Sequence, residues 1–266
     1  MILTAGPFFG RMKTLVFLLA CLTPAFLAPS GVLAAPAALR LSGSFFQYQA
    51  EMQAWAPEIW QAVLDRMKEL KMNTVIVQML VQENNDGTQH SFIGPSGQPD
   101  ATDAILNYAD TNGFKVFLGL YLPNWNHEMT GSNFLFETQS RMATTAQQAW
   151  DRYLSGDRHH SFAGWYIPYE PWTANYQPAE VARLRSFFQG VHASCQLISG
   201  DVPLAISPFI SSSRPPPCQV EQLYRQLLDQ AGIDILLLQD SVGAQQWESN
   251  ILQRVAPYFP AFQNAC

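Results

Sequence analysis

The chain has 266 residues, of which 48% are hydrophobic, 12% aromatic and 14% charged, and its net charge is −6. Such a composition is typical of a globular protein with a sizeable core and argues against intrinsic disorder. The acidic balance, without clusters of lysine and arginine, argues against nucleic acid as a partner.

The first 34 residues have the pattern of a secretory signal peptide. Arg11 and Lys13 form a positively charged n-region, and residues 14–22 form an apolar h-region. Ala34 ends a segment that fits the small-residue pattern of a signal-peptidase cleavage site. A retained membrane anchor is the alternative, but prolines and a glycine interrupt a segment that needs ~20 apolar residues to span a bilayer. We therefore predict a secreted or periplasmic protein with no stable membrane insertion after cleavage, and one domain over residues 35–266.

Beyond residue 34, apolar strand-like runs alternate with stretches of helical periodicity. The predicted strands are residues 39–47, 73–80, 115–122, 162–169, 203–210 and 233–239. The predicted helices are residues 56–70, 100–112, 138–155, 178–195, 219–231 and 246–255. Alternation of this kind predicts an α/β fold, a parallel sheet of the (β/α)8 TIM-barrel type with helices outside.

Six βα units are fewer than the eight of a full barrel. We therefore expect an incomplete barrel, from a chain that is truncated at its C-terminus or completed by a partner. An open doubly wound sheet is the competing fold, although no glycine-rich phosphate loop follows any predicted strand.

Residues 162–171, FAGWYIPYEP, form the most informative segment, because an apolar run stops at Glu170. In α/β barrels the active site lies at the C-terminal ends of the strands. A carboxylic acid beside aromatic rings has a raised pKa, which suits a general acid. The alternative is a structural carboxylate that binds loop amides or an arginine.

A second apolar run, residues 233–239, stops at Gln239 and is followed by Asp240. Two strands that each end in a carboxylate can supply a general acid and a base. Asp240 is therefore a candidate base or nucleophile, although aspartate is also a favoured helix N-cap.

Amides and aromatic rings near the strand ends are the candidate substrate-binding groups. An amide at the end of an apolar strand can bind a sugar hydroxyl, and an aromatic ring offers a flat face for a sugar ring. The alternative is that these side chains cap or anchor the loops. The candidates are Gln47, Gln78, Tyr121, Trp125, Tyr169, Trp172 and Gln239.

Beyond the signal peptide the chain has three cysteines, Cys195, Cys218 and Cys266. Export permits disulfides, so a bridge between Cys195 and Cys218 and a pair of free thiols are equally consistent with the sequence. No cysteine or histidine spacing is typical of a metal site, and no cofactor fingerprint is present. We therefore predict no cofactor.

Five segments in a fixed order, GSFFQ, MNTVIVQ, GWYIPYE, ISPF and LLLQDSVG, resemble a bacterial family of unknown function that is grouped with glycosidase-like TIM barrels. The resemblance covers residues 39–262. It implies a carbohydrate-active barrel whose acid/base glutamate, after the fourth strand, is Glu170. The large retaining-glycosidase clan usually has asparagine where this chain has Tyr169, and its nucleophile follows a seventh strand that is not recognisable here.

We therefore predict a glycoside hydrolase-like protein that cleaves a polysaccharide or oligosaccharide by carboxylate acid/base chemistry, with Glu170 as the acid and Asp240 as the second carboxylate. Carbohydrate is the expected partner. The first alternative is a non-catalytic carbohydrate-binding barrel in polysaccharide export or sensing, and a scaffold without a ligand is the second.

Overall fold

The computed structural model describes residues 42–124, 131–156, 158–171, 176–210, 215–239 and 256–265. The predicted signal peptide and the predicted helix at residues 246–255 lie outside these ranges, as does Cys266. Three of the candidate site residues also lie outside them: Trp125, Trp172 and Asp240.

The strands of these ranges form two sheets. They are β1 (Gly43–Phe46), β2 (Thr74–Val77), β3 (Val81–Glu83), β4 (Gln89–Ser91), β5 (Lys115–Gly119), β6 (Tyr121–Leu122), β7 (Phe162–Ile167), β8 (Leu204–Ile206) and β9 (Ile235–Leu236). The central sheet has the order β1-β2-β5-β7-β8-β9, and every neighbouring pair in it is parallel. Its six strands are those predicted, and they curl into half a barrel. The prediction of an incomplete (β/α) barrel is therefore confirmed.

Within the described ranges, five helices connect successive central strands, a sixth follows the last of these strands, and the helices pack on one side of the sheet. They are α1 (Pro57–Glu69), α2 (Ala101–Asn112), α3 (Ser132–Ala149), α4 (Pro178–Ser199), α5 (Pro217–Leu228) and α6 (Tyr258–Ala265). Helix α2 shows why such boundaries are predictable. Asp100 and Asp103 form a capping box at its start, and Gly113, at a φ of 70°, ends it in the left-handed conformation.

The second sheet was not predicted. Strand β3 pairs antiparallel with β4 and parallel with β6, so the sheet has the order β4-β3-β6. Its strands have only two or three residues, and β4 is the polar sequence Gln-His-Ser, so they lack the alternating apolar pattern of a half-buried strand. The predicted strand at 115–122 is accordingly divided into β5 and β6.

The two faces of the central sheet have different neighbours. A large core cluster joins one face to the helices, whereas a smaller cluster on the other face contains Ile76, Phe117, Tyr166 and Ala205 and no helical residue. The second face is therefore the concave interior of the half-barrel. Because side chains alternate along β7, Tyr166 faces the interior while Trp165 and Ile167 face the helices; Tyr169, beyond the end of the strand, also packs in the cluster on the helix side.

Two further expectations bear on export. Within the described ranges, no helix combines the length and the apolar character needed to cross a bilayer. Cys195 is buried, Cys218 is exposed, and both thiols are free. Of the two alternatives for this pair, the structure therefore shows unpaired thiols.

Candidate active site

Glu170 lies three residues after the C-terminal end of β7. Pro171, which follows it, is held by two hydrogen bonds to its carbonyl oxygen, from the backbone N–H of Phe209 at 2.9 Å and from the hydroxyl of Tyr224 at 2.8 Å. The backbone around the carboxyl group is therefore fixed to the segment after β8 and to α5. A fixed backbone lowers the cost of holding an acid in one orientation.

The Glu170 carboxyl is buried, with 5% of the residue exposed, and its Oε1 atom has no hydrogen-bond partner. Burial raises the pKa of Glu170 from its ordinary 4.5 to about 7, because a charged carboxylate is poorly solvated there. The Gln239 amide acts in the opposite direction by hydrogen bonding to the carboxyl group. Near neutral pH, Glu170 therefore holds a proton that it can give up.

Gln239 follows β9 and lies next to this carboxyl group. Its backbone N–H donates to the carbonyl oxygen of Pro208 at 2.8 Å, and its Nε2 donates to that of Ser207 at 3.3 Å. The side chain is 1% exposed, and its Oε1 atom has no partner. Its amide is thus anchored to the segment after β8 and contacts Glu170.

Gln47 and Gln78 lie at the same end of the sheet, after β1 and β2. Gln78 is 2% exposed and its Oε1 is also unpartnered, whereas Gln47 is half-buried. A Cβ atom at Gly119 would lie 2.1 Å from the carbonyl oxygen of Gln78, so glycine is needed for β5 to approach this position. The structure therefore brings Gln47, Gln78, Gln239 and Glu170 to one end of the half-barrel, as the strand pattern predicts.

Two candidate substrate-binding residues lie elsewhere. Tyr121 is buried in the second sheet, and its hydroxyl donates to Glu83 Oε2 at 2.7 Å. Tyr169 is fully buried on the helix-facing side, with its ring 5.3 Å from that of Phe187 and 6.2 Å from that of Phe188 in α4. The structure does not bring either tyrosine together with Glu170.

The sequence reasoning missed Tyr166. This residue lies four positions before Glu170, on the interior face of β7, and is fully buried; its hydroxyl is near that of Ser207 but makes no hydrogen bond of standard geometry. Burial and the charge of Glu170 both raise its pKa, while the neighbouring Ser207 hydroxyl acts in the opposite direction. The even spacing from Glu170 was the signal that could have identified it.

The unpartnered buried atoms are concentrated at this end of the half-barrel. Buried polar atoms in proteins almost always have partners, so each exception needs a reason. Four exceptions belong to the residues just described: Gln78 Oε1, Tyr166 Oη, Glu170 Oε1 and Gln239 Oε1. In the described ranges no group of three or more His, Cys, Asp or Glu side chains could hold a metal ion. This arrangement offers a buried acid with the Gln239 amide beside it.

Comparisons with known proteins agree with this architecture. A proposed alpha-L-fucosidase from Bacteroides thetaiotaomicron VPI-5482 is similar in structure, with a TM-score of 0.57, 20% sequence identity, and coverage of 80% of this chain and 70% of that one. At this identity the likeness shows the fold, which is glycosidase-like.

Weaker similarity extends to other glycosidases. The exo-beta-1,4-mannosidase Op5Man5 from Opitutaceae bacterium strain TAV5 has a TM-score of 0.43 and 12% identity, and the match covers 84% of this chain and 50% of that one. The GH2 beta-galacturonidase from Eisenbergiella tayi bound to galacturonate has a TM-score of 0.42 and 13% identity, and the match covers 75% of this chain and 35% of that one. The chain thus spans at most half the length of these two enzymes.

Sequence comparison identifies a family whose function is unknown. Residues 41–265 match the family model described as Domain of unknown function (DUF4434). No curated protein sequence matches the chain.

Proposed function

The chain belongs to the DUF4434 family, and from its glycosidase-like half-barrel we propose that it is a glycoside hydrolase-like protein that cleaves a polysaccharide or oligosaccharide. The observation that carries this proposal is the state of Glu170. A buried carboxyl with an unpartnered oxygen and a pKa of about 7 lies at the end of the barrel where such enzymes have their sites. These are the properties of a general acid that works near neutral pH.

In the proposed reaction Glu170 transfers its proton to the glycosidic oxygen as the bond to the sugar breaks. A second carboxylate must then take part. In a retaining enzyme it is the nucleophile and lies about 5–5.5 Å from the first carboxyl group, whereas in an inverting enzyme it is the base that activates water and lies about 6.5–9.5 Å away. Asp240, the residue after Gln239, is our candidate. The amides of Gln47 and Gln78 are suited to bind sugar hydroxyls beside the acid.

The second candidate function is a carbohydrate-binding barrel without turnover. The observation that favours it is the neighbourhood of Glu170, since within the described ranges the Gln239 amide is the one side chain that shifts the pKa of this acid, and burial is the other cause. A carboxyl with hydroxyl-binding neighbours and no second acid would bind a sugar without hydrolysing it.

We also propose that the protein acts outside the cytoplasm, secreted or in the periplasm, after cleavage following Ala34. The support is the charged, apolar and small-residue pattern of residues 11–34. N-terminal sequencing of exported protein tests this proposal, and a start at residue 1 or 12 would contradict it.

The test of function compares the wild-type chain with Glu170→Gln on activated aryl glycosides and bacterial polysaccharides, with binding followed by calorimetry. Loss of the proton donor should lower turnover by about 10²–10⁴-fold and leave binding unchanged. Glu69→Gln is the matched control, because it makes the same change at an exposed residue at the end of α1 and should keep full activity. Sugar binding without turnover in the wild type would reject the hydrolase and support the binding barrel.

A further inference from the structure

A cavity of about 450 Å³ lies between the second sheet and the first half of α3. It is at the same end of the half-barrel as Glu170, because β6 follows β5 after a single residue, Leu120. The backbone N–H of Leu120 donates to the carbonyl oxygen of Tyr166 in β7 at 2.9 Å, so this end of β5 is joined to the strand that leads to Glu170. A cavity of this volume is large enough for a small ligand.

The first charged group that lines the cavity is the carboxylate of Glu83, at the end of β3. Its Oε2 atom accepts two hydrogen bonds, from the hydroxyl of Tyr121 at 2.7 Å and from the backbone N–H of Asn124 at 3.2 Å. Tyr121 is itself buried, so the carboxylate is held in one orientation. Its second oxygen takes part in neither bond and can accept from a ligand.

The second charged group is the guanidinium of Arg141 in α3, which lies over the ring of Tyr121 with its Cζ atom 5.3 Å from the ring centre. Glu83 and Glu137 line the same cavity, yet Arg141 forms no ion pair within the described ranges. Its Nη1 atom is buried and has no hydrogen-bond partner. A buried donor without an acceptor is costly and needs a reason. An oxygen of a bound ligand is the acceptor that the chain does not supply to this guanidinium.

The charges of the cavity select the kind of ligand. A carboxylate only accepts hydrogen bonds and a guanidinium only donates them, whereas a hydroxyl group does both. Neighbouring hydroxyls on one sugar ring can therefore donate to Glu83 and accept from Arg141 at the same time. The two carboxylates, of Glu83 and Glu137, outweigh the one guanidinium, so a ligand with an acidic group is repelled.

We propose that this cavity binds a sugar residue without acidic groups, with Glu83 accepting from its hydroxyls and Arg141 donating to them. The inference rests on the proposed function, because it takes the ligand to be a carbohydrate. It adds a binding site, at the end of the half-barrel that holds Glu170, to the amides proposed above.

Calorimetry with the full chain tests the proposal. The probes are neutral tetrasaccharides of glucose, mannose and galactose, and tetragalacturonate is the acidic counterpart of the last of them. At least one neutral probe should bind, and more tightly than tetragalacturonate. In protein labelled with ¹⁵N-arginine, the Nε–Hε NMR signal of Arg141 should shift with the same dissociation constant. The loss of this signal in Arg141→Met assigns it.

The variants Arg141→Met and Glu83→Gln alter the two binding groups with little change in volume. Arg141→Met should weaken binding of the neutral probe by about 10–100-fold, because it removes hydrogen bonds from a charged donor. Glu83→Gln should weaken it by about 10-fold, because a neutral amide accepts a weaker hydrogen bond than a carboxylate. Arg66→Met is the matched control. Arg66 is an exposed residue of α1 that pairs with Glu69 at 2.7 Å, and its replacement should leave binding unchanged.

The outcomes separate this inference from the proposed function. Binding of no neutral probe, or equal affinity in the wild type and both cavity variants, would overturn the inference even in an active hydrolase. Tighter binding of tetragalacturonate would overturn the choice of a sugar without acidic groups. Binding of a neutral probe that depends on Arg141, in a protein without turnover, would support the inference and reject the hydrolase. If Arg141→Met does not fold, the affinity of Glu83→Gln decides.

Discussion

Glu170→Gln should make the protein more stable, and increasingly so as the pH rises. In the folded state the pKa of Glu170 is about 7, against an ordinary value of 4.5 that we take for the unfolded chain. Between these two values the unfolded chain has lost the proton and the folded chain has kept it, so stability falls as pH rises. Over this interval the loss is about 3 kcal/mol at 1.36 kcal/mol per unit. Glutamine does not ionise and avoids this loss.

Urea denaturation of the wild type and the variant across pH 5 to 8 measures the difference directly. The advantage of Glu170→Gln should grow from below about 1 kcal/mol at pH 5 to about 3 kcal/mol at pH 8, because stability is fully retained only below the unfolded pKa. At pH 8 this corresponds to roughly 6–12 °C in melting temperature. Effects of other titrating groups are shared by both proteins and cancel. Glu69→Gln, an exposed substitution, should show no comparable trend.

A difference that does not depend on pH would refute the reasoning, because it would mean that Glu170 has the same pKa in both states. A variant less stable than the wild type at pH 8 would show that the ionised carboxylate has strong partners. Both results would also weaken the case for Glu170 as a general acid.

Three other predictions concern the frame of the site. Gly119→Ala should cost roughly 1–3 kcal/mol in a denaturation experiment, because its methyl group would meet the carbonyl oxygen of Gln78 at 2.1 Å and neither backbone can move freely. Arg152→Met should cost about 1.5–3 kcal/mol by the same measurement, because it removes the guanidinium that pairs with Asp100 and Asp103, while both carboxylates keep their hydrogen bonds in the capping box. Under native conditions an alkylating reagent should modify the exposed Cys218 and spare Cys195, whose thiol is buried with a pKa raised to about 12; rapid modification of Cys195, detected by mass spectrometry, would contradict its burial.

The central sheet was predictable because its inner strands β2, β5, β7 and β8 are largely buried on both faces. Such strands are continuous apolar runs, and GWYI or TVIV stands out from helical sequence of period 3.6. The second sheet was not predictable for the opposite reason, since its short strands are defined by backbone pairing rather than by an apolar pattern. Helix α6 was also missed, since Pro260 suggests a loop although it is tolerated in a first helical turn.

At the site, the end of an apolar run located Glu170 but did not show which way its neighbours point. Tyr169 is adjacent in sequence, yet the alternation of the strand turns it toward Phe187 in α4. Tyr166 is four residues away and faces the same interior. Contacts between strands, such as that of Gln239 with Glu170, depend on register, and register is set by packing that a sequence alone does not display.

The order of the central sheet has a consequence for how the protein is made. Each central strand pairs with the next central strand along the chain, as Gly43 does with Thr74. The strands of the described ranges therefore emerge in the order in which they join the sheet, and each new unit can dock on an edge that is already present. None of these central strands has to wait for a partner from the far end of the chain, so assembly can proceed from the N-terminal side as the chain emerges on the side of the membrane where it folds.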